Sequence, residues 1–182
     1  MQRNEVIWIN GTFDVLHMGH IKLFQKAHEV ACDEFRSFSW KIVVGVDTDE
    51  RIREKKGPSR PINNLKNRME FLHAIRWVDE VYAFHSDDML RDLIKVHAPK
   101  YMIIGDDYRN KPIIGSEHIG EIIYLPRYEG LSSSAIINGT HNWHIFITKF
   151  QYGNIFFRLN ARLRNTRAGT NRWNDLYLST TK

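Results

Sequence analysis

The sequence predicts an α/β fold: a doubly wound, Rossmann-like parallel sheet followed by a basic C-terminal extension. Three observations carry that prediction. Short apolar runs alternate with helical patterns along the first 138 residues, as βαβ units require. The residues richest in chemistry (Gly11 to His20, Asp47, Gly105 to Asp107, Arg127 to Ser134) each follow an apolar run, so they would gather at the carboxyl ends of parallel strands. The charge is also uneven. Residues 139–182 carry seven Lys or Arg against Asp175 alone, whereas residues 1–138 carry 19 basic and 20 acidic side chains. The net charge of +5 therefore belongs to the end of the chain. This division predicts one domain over 1–139 and an extension over 140–182.

Taken in order, Val6-Ile7-Trp8-Ile9 reads as a buried strand. A helix follows, with Leu23, Phe24, Ala27, Val30 and Ala31 on one face. Lys41 to Asp47 is a continuous apolar run ending in an acid, the pattern of a strand covered on both faces. Thr48-Asp49-Glu50 opens a short helix, and Glu54 to Pro61 reads as a loop, its Lys55, Lys56 and Arg60 set among turn formers. Asn64 to Trp77 carries Leu65, Met69, Leu72, Ala74 and Ile75 at mostly helical spacing. Glu80 to Phe84 is the next strand. Asp87 or Asp88 would cap a helix running to about His97, with Pro99 beyond it. Tyr101 to Gly105 and Glu121 to Leu125 are the last strands. A short helix begins in Ser132-Ser133-Ser134 and stops at Asn138-Gly139.

Composition narrows the function classes. The 182 residues are one ordinary domain with something left over. A lone cysteine, Cys32, excludes an internal disulfide and suits a reducing compartment. No basic segment precedes a long apolar one at the start, and no run approaches a membrane span, so a cytoplasmic protein is expected. Beyond residue 140, aromatic runs flank Tyr152-Gly153 in a hairpin-like pattern, followed by Arg158, Arg162, Arg164, Arg167 and Arg172. An extension packed on the core or on a second subunit is the preferred reading, over an RNA- or polyanion-binding arm and a poorly ordered terminus.

The organising stretch is Gly11-Thr12-Phe13-Asp14-Val15-Leu16-His17-Met18-Gly19-His20. It brings two imidazoles to a strand-to-helix turn, where helix amides and the helix dipole favour phosphate. Gly19 leaves room for close backbone approach. Metal ligation by His17 and His20 lacks further ligands at zinc spacing. Gly11-Thr12-Phe13-Asp14 followed by His17-x-Gly19-His20 resembles the signature of the cytidylyltransferase-like nucleotidyltransferases, with their HxGH element. The resemblance runs from about Glu5 to Asn138. Arg127-Tyr128-Glu129-Gly130-Leu131-Ser132-Ser133-Ser134 is similar to the second signature of glycerol-3-phosphate cytidylyltransferases, Arg-Thr-Glu-Gly-Ile-Ser-Thr-Thr, with Tyr128 a departure. Ile75 to Val81 and Gly105-Asp106-Asp107-Tyr108 look like the same group. The middle differs: Lys56-Gly57-x-Ser59-Arg60-Pro61-x-Asn63 followed by Arg68, and Ile114-Gly115-Ser116, resemble the adenylyltransferase domain that makes ADP-heptose.

The resemblance implies an enzyme in which a substrate phosphate attacks the α-phosphorus of a nucleoside triphosphate and pyrophosphate leaves. It implies CTP with glycerol 3-phosphate as the first expectation, ATP with a sugar phosphate or other small phosphate as the second, Mg²⁺ with the triphosphate, and a homodimer. A binding protein built on an inactive core is the reading from another class. By resemblance, His17 and His20 contact the α- and β-phosphates, and Lys55 or Lys56 neutralises the triphosphate from a flap. Arg127, Ser132 and Ser133 hold the β- and γ-phosphates. Asp107 and Tyr108 lie at the base beside Gly105. Asp49 serves the acceptor, and Arg76 and Lys22 support the phosphates. Gly11, Thr12, Phe13 and Gly19 form the nucleotide-binding turn.

Overall fold

The computed structural model describes residues 5–34, 39–126 and 133–137. Five strands form one wholly parallel sheet: β1 (Glu5–Gly11), β2 (Trp40–Asp47), β3 (Glu80–Phe84), β4 (Tyr101–Gly105) and β5 (Glu121–Leu125). Their order is β3-β2-β1-β4-β5, so the chain winds outward in one direction from β1 and then in the other. The predicted doubly wound α/β fold is the one observed. Between the strands lie α1 (Met18–Glu34), α2 (Asp49–Lys56), α3 (Leu65–His73) and α4 (Asp87–His97), and α5 (Ser133–Ile137) follows β5.

Alternation along the strands sorts the core into two layers. Ile7, Ile9, Ile42, Val44, Val46 and Ile103 pack with Phe24, Ala27 and Ala31 of α1 and Leu72 of α3. Val6, Trp8, Val43 and Met102 face the other way, onto Phe84 and onto Leu90 and Ile94 of α4. Both faces of β1 and β2 are covered, which is why their sequences are apolar throughout. Gly45 is required by packing: a Cβ there would stand 2.8 Å from Cζ2 of Trp8.

Four sequence expectations are corrected in detail. The stretch from Glu54 to Lys56 is helical, because α2 runs on until Gly57, whose φ of 91° ends it. Lys55 and Lys56 therefore sit on the last turn of α2 instead of in a loop. The helix beginning after Asn64 ends at His73, short of Trp77. Ser86 caps α4 through its hydroxyl, which accepts from the Met89 amide, so Asp87 and Asp88 lie within the first turn. Two single-turn 3-10 segments, Asp106–Tyr108 and Ser116–His118, have no counterpart in the sequence reading. Among the described residues no helix is long and apolar enough to cross a membrane. The expected stop at Asn138-Gly139, and the extension, lie outside the described residues.

Candidate active site

The strand order reverses between β1 and β4, and the carboxyl ends of these strands open into a crevice there. The crevice sits astride the sheet edge as two lobes. The first, about 310 Å³, is lined by Asn10 to Asp14, His17, Gly19, His20, Leu23, Lys56, Arg60, Gly105, Asp107, Tyr108, Leu125, Pro126 and Ser133. The second, about 260 Å³, shares Asn10, Gly11, Thr12, Leu23, Lys56, Gly105 and Tyr108 with the first. It adds Asp47, Arg51 and Lys55, with apolar residues of β3, α4, β4 and the following loop.

At the mouth of the first lobe, α1 starts immediately after His17. The amide of Gly19 donates to Nδ1 of His17 (3.1 Å), and the amide of His17 donates to Nδ1 of His20 (3.3 Å). An imidazole nitrogen that accepts carries no proton, so both rings hold theirs on Nε2. The rings lie 3.9 Å apart between centroids. Burial, reinforced by His17 and by the Lys56 ammonium, lowers the pKa of His20 to about 3. His20 is thus a neutral Nε2–H donor at physiological pH. Behind it stands Phe13, its ring 5.3 Å from that of His20. Phe13 adopts a φ of 48°, a conformation that costs a bulky residue about 1–3 kcal/mol and persists only where the surroundings enforce it.

Buried polar contacts enforce that turn. Asp14, 1% exposed, accepts from the Asn63 amide (2.8 Å) and from Nε of Arg60 (2.6 Å), and the Asn63 side chain donates to the Asp14 carbonyl. Burial alone would raise the Asp14 pKa, but hydrogen bonds from the Asn63 and Ile62 backbone and from Arg60 outweigh it and hold the carboxyl below its usual range. Arg68, fully buried, donates to the carbonyls of Thr12 and Asp47 (2.8 Å each), to that of Asn63 (3.0 Å) and to the Asp49 carboxylate (2.6 Å). One guanidinium from α3 thereby ties the ends of β1 and β2 to α2.

A second chain of contacts crosses the boundary between the lobes. Nζ of Lys56 donates to Oγ1 of Thr12 (3.0 Å), and Thr12 donates to Asp47 (3.4 Å). The other Asp47 oxygen accepts from Nε of Arg51 (2.7 Å), and Arg51 also pairs with Asp87. Partial burial, with the neighbouring Arg60 and Lys55 charges, lowers the Lys56 pKa despite the opposing pull of Asp47 and Asp14. Across the lobe, Gly105 permits the close approach of Asp107, whose Oδ1 lies 2.5 Å from where a Cβ would stand. Ser133 donates to the Val15 carbonyl (3.0 Å) and closes the rim.

Of the residues singled out from sequence, Gly11, Thr12, Phe13, His17, Gly19, His20, Lys56, Gly105, Asp107, Tyr108 and Ser133 line the first lobe, and Lys55 lines the second. Three line neither. Asp49 is held by Arg68. Lys22 sits about 100° around α1 from the lining residue Leu23 and about 160° from His20. Arg76 lies just before β3, at the amino ends of the strands and away from the crevice, its guanidinium over Trp77. Arg127 and Ser132 lie outside the described residues. Sequence reasoning missed Asn10, Arg51 and Arg60 as lining residues. Arg60 was visible within the Ser59-Arg60-Pro61 motif, whereas nothing local marked Arg51.

Comparison with known proteins adds three findings. A family model described as cytidylyltransferase-like matches residues 8–139. Curated relatives include the bifunctional protein HldE of Helicobacter hepaticus, 36% identical over 137 residues, and that of Campylobacter fetus, 35% identical over 133. These matches cover 75% and 73% of this chain but 27% of each relative, so the chain spans about a quarter of their length. Among solved structures, a lipopolysaccharide core biosynthesis protein from Thermoplasma volcanium shares the fold. Its TM-score is 0.53 at 23% identity, over 69% of this chain and 98% of that one.

Proposed function

This chain belongs to the cytidylyltransferase-like family and is a nucleotidyltransferase, and on that premise we propose that it transfers AMP from ATP to a small phosphorylated acceptor, releasing pyrophosphate. The acceptor is a sugar phosphate or another small phosphate monoester. The donor assignment departs from the first expectation, CTP with glycerol 3-phosphate. It is supported by the HldE relatives, whose matches span 75% and 73% of the chain and so include its middle. That is where Lys56 to Arg68 resembles the adenylyltransferase that makes ADP-heptose.

One observation carries the reading of the site. Two imidazoles, each with Nδ1 committed to a backbone amide, stand at the amino end of a 17-residue helix inside the crevice at the strand-order reversal. In this reading the triphosphate occupies the first lobe, with the base toward Asp107 and Tyr108, and the acceptor occupies the second. An acceptor phosphate oxygen attacks the α-phosphorus in line. The new P–O bond forms as the bond to the β-phosphate bridging oxygen breaks, and pyrophosphate takes that electron pair. No covalent enzyme intermediate is needed, since alignment and charge stabilisation supply the rate. The Nε2–H groups of His17 and His20 donate to the developing charge, and Lys56, on the lobe boundary, neutralises both phosphates. Mg²⁺ accompanying the triphosphate would supply further charge neutralisation and would call for few protein ligands. We assign Arg127 and Ser132 to the β- and γ-phosphates, residues 1–139 to the catalytic domain and residues 140–182 to an accessory extension, and we expect a homodimer.

The test is pyrophosphate release with ATP and with CTP, each with Mg²⁺, against glycerol 3-phosphate and a panel of sugar phosphates. Release with ATP is expected. Release with CTP alone would restore the first expectation for the donor. Nucleotide binding without release across the panel, at concentrations far above the dissociation constants, would overturn the proposed reaction.

A further inference from the structure

Asn10, next to the carboxyl end of β1, lines both lobes of the crevice. Its side chain leaves the sheet on the same face as that of Trp8, two residues earlier. Trp8 is wholly buried, and its indole N–H donates to Oδ1 of Asn10 (3.1 Å). An indole can only donate, so the amide oxygen must face it, and the orientation of the carboxamide is fixed with its NH₂ group as the free end. Asn10 is also held from the side. It pairs with Gly45 across β1 and β2, and its Cβ lies 3.2 Å from where a Cβ of Gly45 would stand. Among the described residues nothing accepts from Nδ2 of Asn10, and that nitrogen is not enclosed by protein. It therefore opens onto the crevice. Of the other polar groups shared by the lobes, the Thr12 hydroxyl gives its hydrogen to Asp47, and Lys56 brings charge. Asn10 adds two N–H donors without charge, in a fixed orientation.

We propose that Asn10 is a further catalytic residue of the transfer, its two Nδ2 hydrogens donating to the α-phosphate and to the attacking acceptor phosphate where the lobes meet. This rests on the placement of triphosphate and acceptor in the two lobes under the proposed function. Trp8 holds the amide in place beforehand, so no side chain has to be ordered as charge shifts along the line of attack. Both N–H groups are engaged only when the two phosphates converge. The loss of Asn10 therefore falls on kcat more than on nucleotide affinity.

The experiment compares Asn10→Asp and Asn10→Leu in the full-length protein. The first keeps the shape and still offers an oxygen to Trp8 but has no N–H. The second has neither group and no charge. Both are measured for kcat and KM of pyrophosphate release with ATP, Mg²⁺ and the acceptor that works best in the panel above. Binding of a non-hydrolysable ATP analogue and ¹H–¹⁵N NMR spectra are recorded alongside. The carboxamide pair absent from both variants identifies the Asn10 NH₂ signals, and the indole signal displaced in Asn10→Leu identifies Trp8. In both variants kcat is expected to fall about 10²–10³-fold, the effect of losing one preorganised donor. Asn10→Leu should bind the analogue within about threefold of the unmodified protein, and Asn10→Asp should keep the Trp8 indole hydrogen protected from exchange. In the unmodified protein, the analogue with methyl phosphate should move the Asn10 NH₂ signals. A residue that only supported Trp8 would be rescued by the isosteric change, so kcat within about threefold in Asn10→Asp overturns the proposal. The same result in Asn10→Leu, or NH₂ signals that do not move, also overturns it. If the unmodified protein released no pyrophosphate, the reaction itself would fail, and the NH₂ signals would still decide whether Asn10 meets the phosphates.

Discussion

Two backbone amides decide what the imidazoles can do. Because the Gly19 and His17 amides occupy both Nδ1 atoms, each ring presents an Nε2–H, and neither is set up as a base toward its own helix. His17→Ala and His20→Ala should each lower kcat by about 10²–10⁴-fold, the range for loss of a donor that acts in the transition state. Circular dichroism should remain unchanged. Turnover within twofold of the unmodified protein would remove these residues from the mechanism. In the free enzyme, burial and the neighbouring His17 and Lys56 lower the His20 pKa to about 3, so it contributes no acid limb to a kcat/KM profile between pH 5 and 8. Lys56 has a lowered pKa, and its ammonium is the active form, so activity should fall on the alkaline side below the ordinary lysine value of 10.5. The Asp47 carboxylate raises that pKa. Asp47→Asn should therefore move the alkaline limb to lower pH, and an unmoved limb would show that it belongs to another group.

Among the described residues, the secondary-structure elements are joined at their crevice ends by three buried charges, Asp14, Arg51 and Arg68. Removing one partner of a buried, hydrogen-bonded ion pair costs about 3–5 kcal/mol. Arg68→Met should lose an amount of that order in urea unfolding, because Asp49 and the Thr12 and Asp47 carbonyls would be left unpaired. Gly45→Ala should cost about 1–3 kcal/mol by crowding Trp8, Asn10 and Phe84. Asp14 has a folded-state pKa below its unfolded value of about 3.9. Its stabilisation is complete above that value and is lost as pH falls through the folded pKa. Acid denaturation of Asp14→Asn would lack this contribution.

What the sequence made legible at this scale follows from range. β3, β4 and β5 read correctly to the residue because apolar runs bounded by polar residues are local signals. The HxGH turn was legible for the same reason. Arg68 was marked only as the close of a motif, without a role, since its partner Thr12 is 56 residues away. The end of α2 was misread because Lys55 and Lys56 sit beside Gly57 and Pro58, and charge next to turn formers gives no hint that the helix persists to the glycine. Arg76 was misplaced because a motif carries residue identity but not which end of a parallel sheet a connection reaches.

At the scale of the whole molecule, the basic charge is concentrated in residues 139–182, and residues 1–138 are nearly neutral. If residues 140–182 are accessory, removing them should leave kcat within about threefold, and sedimentation of the same truncation reports whether they hold a dimer together. A tenfold loss of kcat with the dimer intact would place the extension in catalysis. The other property of the whole is the shared boundary of the two lobes, where Lys56 and Thr12 belong to both. Two anions that draw on a single ammonium cannot bind independently. By linkage, whatever factor one imposes on the affinity of the other is returned in full. Without a divalent cation the nucleotide and the acceptor should behave as mutual antagonists, and the antagonism should shrink as added salt screens their repulsion.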